Sequence, residues 1–178
     1  MSDFPTEPRR VVTGFADGRA TIVSDGVPPV LFDSPAFNTV ELWRTAIPAS
    51  FGEAETADGP LLLAPANDGM LARFVYFPPP SERSDEDFGA ALAAMGGGDA
   101  HDEDAETAAM HATDSLDLIY MASGELYAVL EDTETLLRPG DTLIQRGTAH
   151  AWDNRGEETA VILAVQFGAR GESRPQHG

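Results

Sequence analysis

The chain has no cysteine, no lysine, and no apolar run approaching the roughly 20 residues that span a bilayer. Without cysteine there is no disulfide framework, no thiolate metal site and no thiol nucleophile. Any chemistry must therefore rest on histidine, carboxylates, hydroxyls or a bound ion. The start, Met1 to Pro8, has no basic region followed by an apolar stretch, so neither export by a standard signal nor membrane insertion is expected, and the setting is expected to be cytoplasmic. Positive charge is also scarce: eleven basic residues, all arginine, stand against 30 acidic ones, for a formal charge of −19. Nucleic acid and anionic membranes both need a cationic patch, so they are excluded as partners. A length of 178 residues suits one domain.

What is present concentrates between Met110 and Asn154. His111, Thr113, Ser115 and Asp117 share one parity, and side chains on a strand alternate between faces, so the four should point one way. Ala112, Asp114, Leu116 and Leu118 take the other face. His150, Trp152 and Asn154 share a parity on a second short strand, and the two histidines can then meet. Turns are marked at Ser123-Gly124, Glu131-Asp132-Thr133 and Arg138-Pro139-Gly140-Asp141. Short strands at this spacing predict an antiparallel sandwich or barrel.

This stretch resembles the two motifs of the cupin superfamily. The second is nearly complete, with Gly140, Asp141, Gly147, His150 and Asn154 in place and Gln145 where proline is usual. In the first, His111 fits the first histidine, Thr113 stands where the second should be, Asp117 takes the glutamate position, and Gly124 closes the motif. The resemblance implies an all-β fold, the cupin-type double-stranded β-helix or jelly-roll barrel, carrying a short helix or lid loop. It also implies a divalent metal ion (Fe, Mn, Zn or Ni) held by His111, Asp117 and His150, with no organic cofactor. These same three residues are the candidate catalytic groups. Arg73, Thr113, Gln145 and Trp152 are the candidate substrate-binding residues.

Along the chain, residues 1–10 read as an arm, disordered or laid on a partner subunit. Residues 11–167 form the barrel and 168–178 a polar tail. Asp17-Gly18 suits a primed hairpin turn between two strands at an outer sheet edge. Thr39 to Ile47 alternates as a strand, with Trp43 filling the core or lining the cavity. Leu71 to Phe77 is a stronger strand on which Arg73 shares a face with Val75 and Phe77, there to orient a carboxylate or carbonyl, or else to reach water at an edge. Residues 81–109 carry nine acids between Glu82 and Glu106 against one arginine, and read as a flap over the barrel mouth with Phe88, Leu92 and Met95 as its apolar underside. His101, set among carboxylates, reads as a surface residue. Thr159 to Phe167 reads as a buried wall strand.

Three chemistries remain open at this level: a metal-dependent enzyme of dioxygenase or lyase, isomerase or cyclase type, a metal-free His/Asp acid–base enzyme, and a binding module. Each takes a small, fairly apolar carbonyl or phenolic molecule, since the acidic surface repels anions at long range. Sheet edges in a small barrel need cover, which predicts a homodimer.

Overall fold

The computed structural model describes residues 4–51, 60–83, 86–97 and 109–169. Two strands, β1 (Arg10–Ala16) and β2 (Arg19–Gly26), form a hairpin that stands as a sheet of its own. Its turn places Asp17 at φ 50° and Gly18 at φ 73°, the pair of positive dihedrals a primed turn requires.

The remaining strands are β3 (Val30–Phe32), β4 (Asn38–Ala46), β5 (Gly69–Phe77), β6 (Ser115–Ser123), β7 (Leu126–Val129), β8 (Glu134–Leu137), β9 (Thr142–Arg146), β10 (Ala151–Asp153) and β11 (Ala160–Gly168). They assemble into a six-stranded sheet, ordered β3-β4-β5-β11-β6-β9, and a three-stranded sheet, ordered β10-β7-β8. All the pairings are antiparallel. One core joins the two sheets: Phe77, Ile119, Met121, Ile162 and Ala164 of the larger pack with Leu126, Ala128, Leu137, Ala151 and Trp152 of the smaller. This is an antiparallel all-β arrangement of the kind the turn and strand spacing predicts, in the jelly-roll form that the cupin resemblance implies.

Strand β6 carries the organising alternation. Ser115, Asp117 and Ile119 are buried while Leu116, Leu118 and Tyr120 face out. β11 runs between β5 and β6 with its small and β-branched residues filling the wall, and it continues through Gly168, the first residue assigned to the polar tail.

The single α-helix among the described residues, α1 (Glu86–Ala94), is followed by Gly96, whose φ of 76° lets Gly97 N–H reach back to Leu92 O at 2.9 Å. Phe88, Leu92 and Met95 are buried and belong to the barrel core, as expected for the underside of the 81–109 segment. A salt bridge from Arg83 to Asp153 of β10, at 2.6 Å, anchors the approach to this helix. His101 and most of the acidic run lie outside the described residues.

Residues 4–10 correct one expectation. The arm lies on the chain's own outer sheet face: Phe4 packs edge-on to Phe74 at 4.9 Å, and Tyr76 donates its hydroxyl hydrogen to Pro5 O at 2.8 Å. The physical reason is an apolar outer surface at Val40, Phe74, Tyr76 and Val161 that needs cover. Trp43 differs too. A register shift between Glu41 and Trp43 interrupts the alternation, and the indole is half-buried outside both core and cavity, with the Arg10 guanidinium 6.0 Å from its ring. No helix of the described residues is long and apolar enough to cross a membrane.

Candidate functional site

Between the sheets lies a cavity of about 70 Å³, enough for a few water molecules or a compact ligand. Its wall is mostly apolar, with Phe37, Val75, Phe77, Ile119, Trp152 and Ile162 from the strands and loops and Phe88, Leu92 and Met95 from the α1 region. The polar groups on it are Thr39, Arg73, His111, Thr113, Asp117, His150 and Gln166.

The two motifs meet through their histidines. His111 and His150 form an isolated antiparallel bridge, each N–H donating to the other's carbonyl at 2.9 Å. Their rings lie 4.4 Å apart at 49°. Each ring is held by its own backbone: His111 Nδ1 bonds Ala109 O and His150 Nδ1 bonds Thr148 O, both at 2.9 Å. A carbonyl can only accept, so both rings carry their proton on Nδ1 and their lone pair on Nε2. Trp152 stands edge-on to His150 at 5.6 Å.

Asp117 sits on β6 at 4% exposure. Burial pushes its carboxyl above the usual carboxylate range, against the hydrogen bond from Gln166 and the charge of Arg73, which act the other way. A carboxyl raised in the folded state stabilises the fold fully below about pH 3.9, its unfolded value, and that contribution is lost as pH climbs through the folded value. Asp117→Asn removes this dependence. Its Tm should gain on the native protein's between pH 4 and pH 7, measured by differential scanning fluorimetry, and a constant difference over that range would contradict the shift.

Arg73 is buried and lines the cavity, as one of its two sequence readings had it. Burial draws its pKa down to about 10, so it stays charged at neutral pH. Its Nη2 donates to Leu62 O at 2.5 Å and to Leu63 O at 3.2 Å. Neighbouring Glu41, fully buried, gives both oxygens to Arg44, at 2.9 and 2.8 Å. Sequence reasoning passed over Glu41, Thr39 and Gln166. A lone acid between apolar residues in a strand is a signal for the first; a threonine or glutamine in a strand carries none.

Two expected site residues have other work. Gln145 is buried but does not line the cavity; its amide is spent on Thr148 O at 2.9 Å and on the Thr148 hydroxyl, which shapes the turn leading to His150. Thr113 does line it, and its hydroxyl accepts a hydrogen bond from Ser115 at 2.9 Å.

The donor set can be tested against a divalent ion. Two imidazoles with lone pairs on Nε2 suit one, but no three His, Asp or Glu side chains among the described residues gather closely enough to hold it. Asp117 is one methylene shorter than the glutamate usual at its position, and Gln166 Nε2 holds its Oδ2 at 3.2 Å. The described residues therefore do not make the three-ligand set that catalytic zinc sites use.

Residues 100–166 match the Cupin_2 family model, described as a cupin domain. That stretch of the chain is thus similar to the cupin domain. Phomopsin biosynthesis cluster proteins C' and D of Diaporthe leptostromiformis are each 45% identical to this chain over 47 residues, which is 26% of the chain and 25% of either relative. The chain thus spans about a quarter of the length of the curated relatives it matches. Solved structures with a similar fold include the Schizosaccharomyces pombe Cnp3 cupin domain, at 11% identity and a TM-score of 0.48 over 90% of this chain and 87% of that one. A putative ethanolamine utilization protein from Salmonella typhimurium matches at 13% identity and 0.45, over 93% and 100%. A Cupin 2 conserved barrel domain protein from Salinispora arenicola matches at 11% and 0.44, over 78% and 81%.

Proposed function

We propose that this chain is a small-molecule enzyme that moves a proton on a compact, mostly apolar carbonyl or phenolic compound, working in the cytoplasm. The observation that carries the reading is the pair of tautomer-locked imidazoles on one apolar cavity with a buried carboxyl. His150, the more deeply buried ring, accepts the proton at Nε2; His111 and Asp117 stabilise the positive charge it gains and the Arg73 guanidinium the negative charge left on the carbonyl oxygen, in surroundings where electrostatic interactions are stronger than in water. The apolar wall excludes solvent from the reacting group. The test is proton–deuterium exchange next to the carbonyl of a small ketone such as cyclohexanone, followed by NMR. Saturable exchange above the buffer rate is expected; exchange at the buffer rate sinks the proposal.

A second reading, a divalent ion on the two histidines, is favoured by the Nδ1–carbonyl bonds, since this is how metal-ligating imidazoles are oriented. Elemental analysis of protein purified without chelator distinguishes the two. Stoichiometric metal in the native protein that is lost in both His150→Ala and His111→Ala would select the ion; trace metal alike in all three selects the acid–base reading.

The proposed assembly is a homodimer across the outer face of the large sheet. Leu116, Leu118, Tyr120, Ile144 and Phe167 stand 39–54% exposed on adjoining strands, while the other half of that face is already covered by the arm. With −19 on the chain, an acid-free patch is the surface on which two copies can approach. Light scattering should give about twice 18.9 kDa, and Leu118→Glu should halve it; a native monomer refutes the dimer.

A further inference from the structure

Three cavity-lining side chains each carry a buried polar atom without a hydrogen-bond partner among the described residues: Thr39 Oγ1, Arg73 Nε and Asp117 Oδ1. All three residues are between 1% and 4% exposed. Buried polar atoms are seldom left unpaired, because each costs roughly 1–3 kcal/mol. Three on one wall call for something in the cavity that pairs with them.

Their chemistry specifies what that is. Arg73 Nε–H can only donate, a threonine hydroxyl donates or accepts, and a carboxylate oxygen accepts. They sit on β4, β5 and β6 of the same sheet, and β11, between β5 and β6, presents only Ala164 opposite Arg73. The small side chain leaves room for a ligand over the guanidinium. Charge is balanced: Glu41 is spent on Arg44, Arg73 faces Asp117, and two acids meet two cations, so no ion is needed to neutralise the wall.

We infer that the ligand's polar end is a neutral group with a carbonyl acceptor beside an N–H or O–H donor, as in a primary amide or an α-hydroxy ketone. Arg73 Nε and the Thr39 hydroxyl donate to the carbonyl oxygen, and Asp117 Oδ1 accepts from the donor. The apolar remainder fills the space under Phe88, Leu92 and Met95. This rests on the reading of the cavity as a small-molecule site and adds the substrate class to it.

Titration of the full chain with butyramide, N,N-dimethylbutyramide and butyrate, followed by ligand-observed NMR, tests it. Butyramide should bind at least tenfold more tightly than the dimethyl compound, which has no donor, and than butyrate, which brings a charge. Thr39→Val, which removes a hydroxyl that has no partner among the described residues, should leave Tm unchanged or higher and weaken butyramide roughly threefold to tenfold. Equal binding of the two amides, or a Thr39→Val protein with native affinity, overturns the inference, and so does failure of butyramide to bind. Binding is read without turnover. Amide selectivity without ketone exchange therefore keeps this inference and sinks the acid–base reading, and the reverse result does the opposite.

Discussion

His150→Asn is expected to lower the ketone exchange rate about 10²- to 10⁴-fold, the usual contribution of a positioned proton-transfer group. Asparagine is chosen because its amide nitrogen falls where Nδ1 lies. The bond to Thr148 O can then persist while the Nε2 lone pair disappears. A fold defect is thereby separated from a chemical one, and unchanged Tm beside lost exchange is the diagnostic pair. The same change at His111, whose ring is tied to Ala109 O and is less buried, should cost less if its role is to stabilise charge. Retention of more than a tenth of native exchange in His150→Asn would remove that residue from the proton path.

Asn154→Ala is expected to destabilise the barrel by about 3 kcal/mol, which at this chain length is a fall in Tm of roughly 6–12 °C. The side chain is fully buried. Its amide nitrogen donates to Phe77 O and to Glu158 O, each at 2.8 Å, and its Oδ1 accepts from Gly156 N–H at 2.9 Å. One residue thus joins the end of β10 in the small sheet to the end of β5 in the large one and closes the turn into β11. Truncation leaves Phe77 O buried and unpaired, and a buried orphan costs far more than an average hydrogen bond contributes. Thermal unfolding followed by circular dichroism would read the shift; a change below about 2 °C would mean that the turn closes without this side chain.

The parity of residues 111–117 was legible because a period of two leaves only two ways to face a strand, and one of them would have buried Asp114 and exposed Asp117. The same arithmetic put Arg73 on one face with Val75 and Phe77 and left open whether that side chain meets the cavity or water; it lines the cavity. The histidine pair was legible from motif spacing, since two short strands of matching parity have to meet somewhere in a small barrel. Where local periodicity breaks, legibility ended. The irregularity at Glu41 and Trp43 turned the indole away from the interior, and no propensity marks where an antiparallel pair slips by one residue. Gln145 was misread because a buried amide in a motif looks like a ligand contact until its turn partner, Thr148, is seen. Whether His111, Asp117 and His150 gather closely enough for an ion depends on side-chain reach, which strand patterns do not encode; among the described residues no three-ligand group forms. The packing of Phe4 onto Phe74 joins residues 70 apart, and no local pattern carries such a contact.

On the proposed small-molecule reading, the doubled backbone bridge between His111 and His150 bears on the route a ligand takes. That side of the chamber is zipped shut by the strands that carry the reactive rings, so widening it would spoil the apparatus it serves. A ligand would then pass beneath the α1 region, where Phe88, Leu92 and, just past the helix, Met95 close the cavity wall. Turnover then has a ceiling set by how often that wall opens, whatever the speed of the proton step.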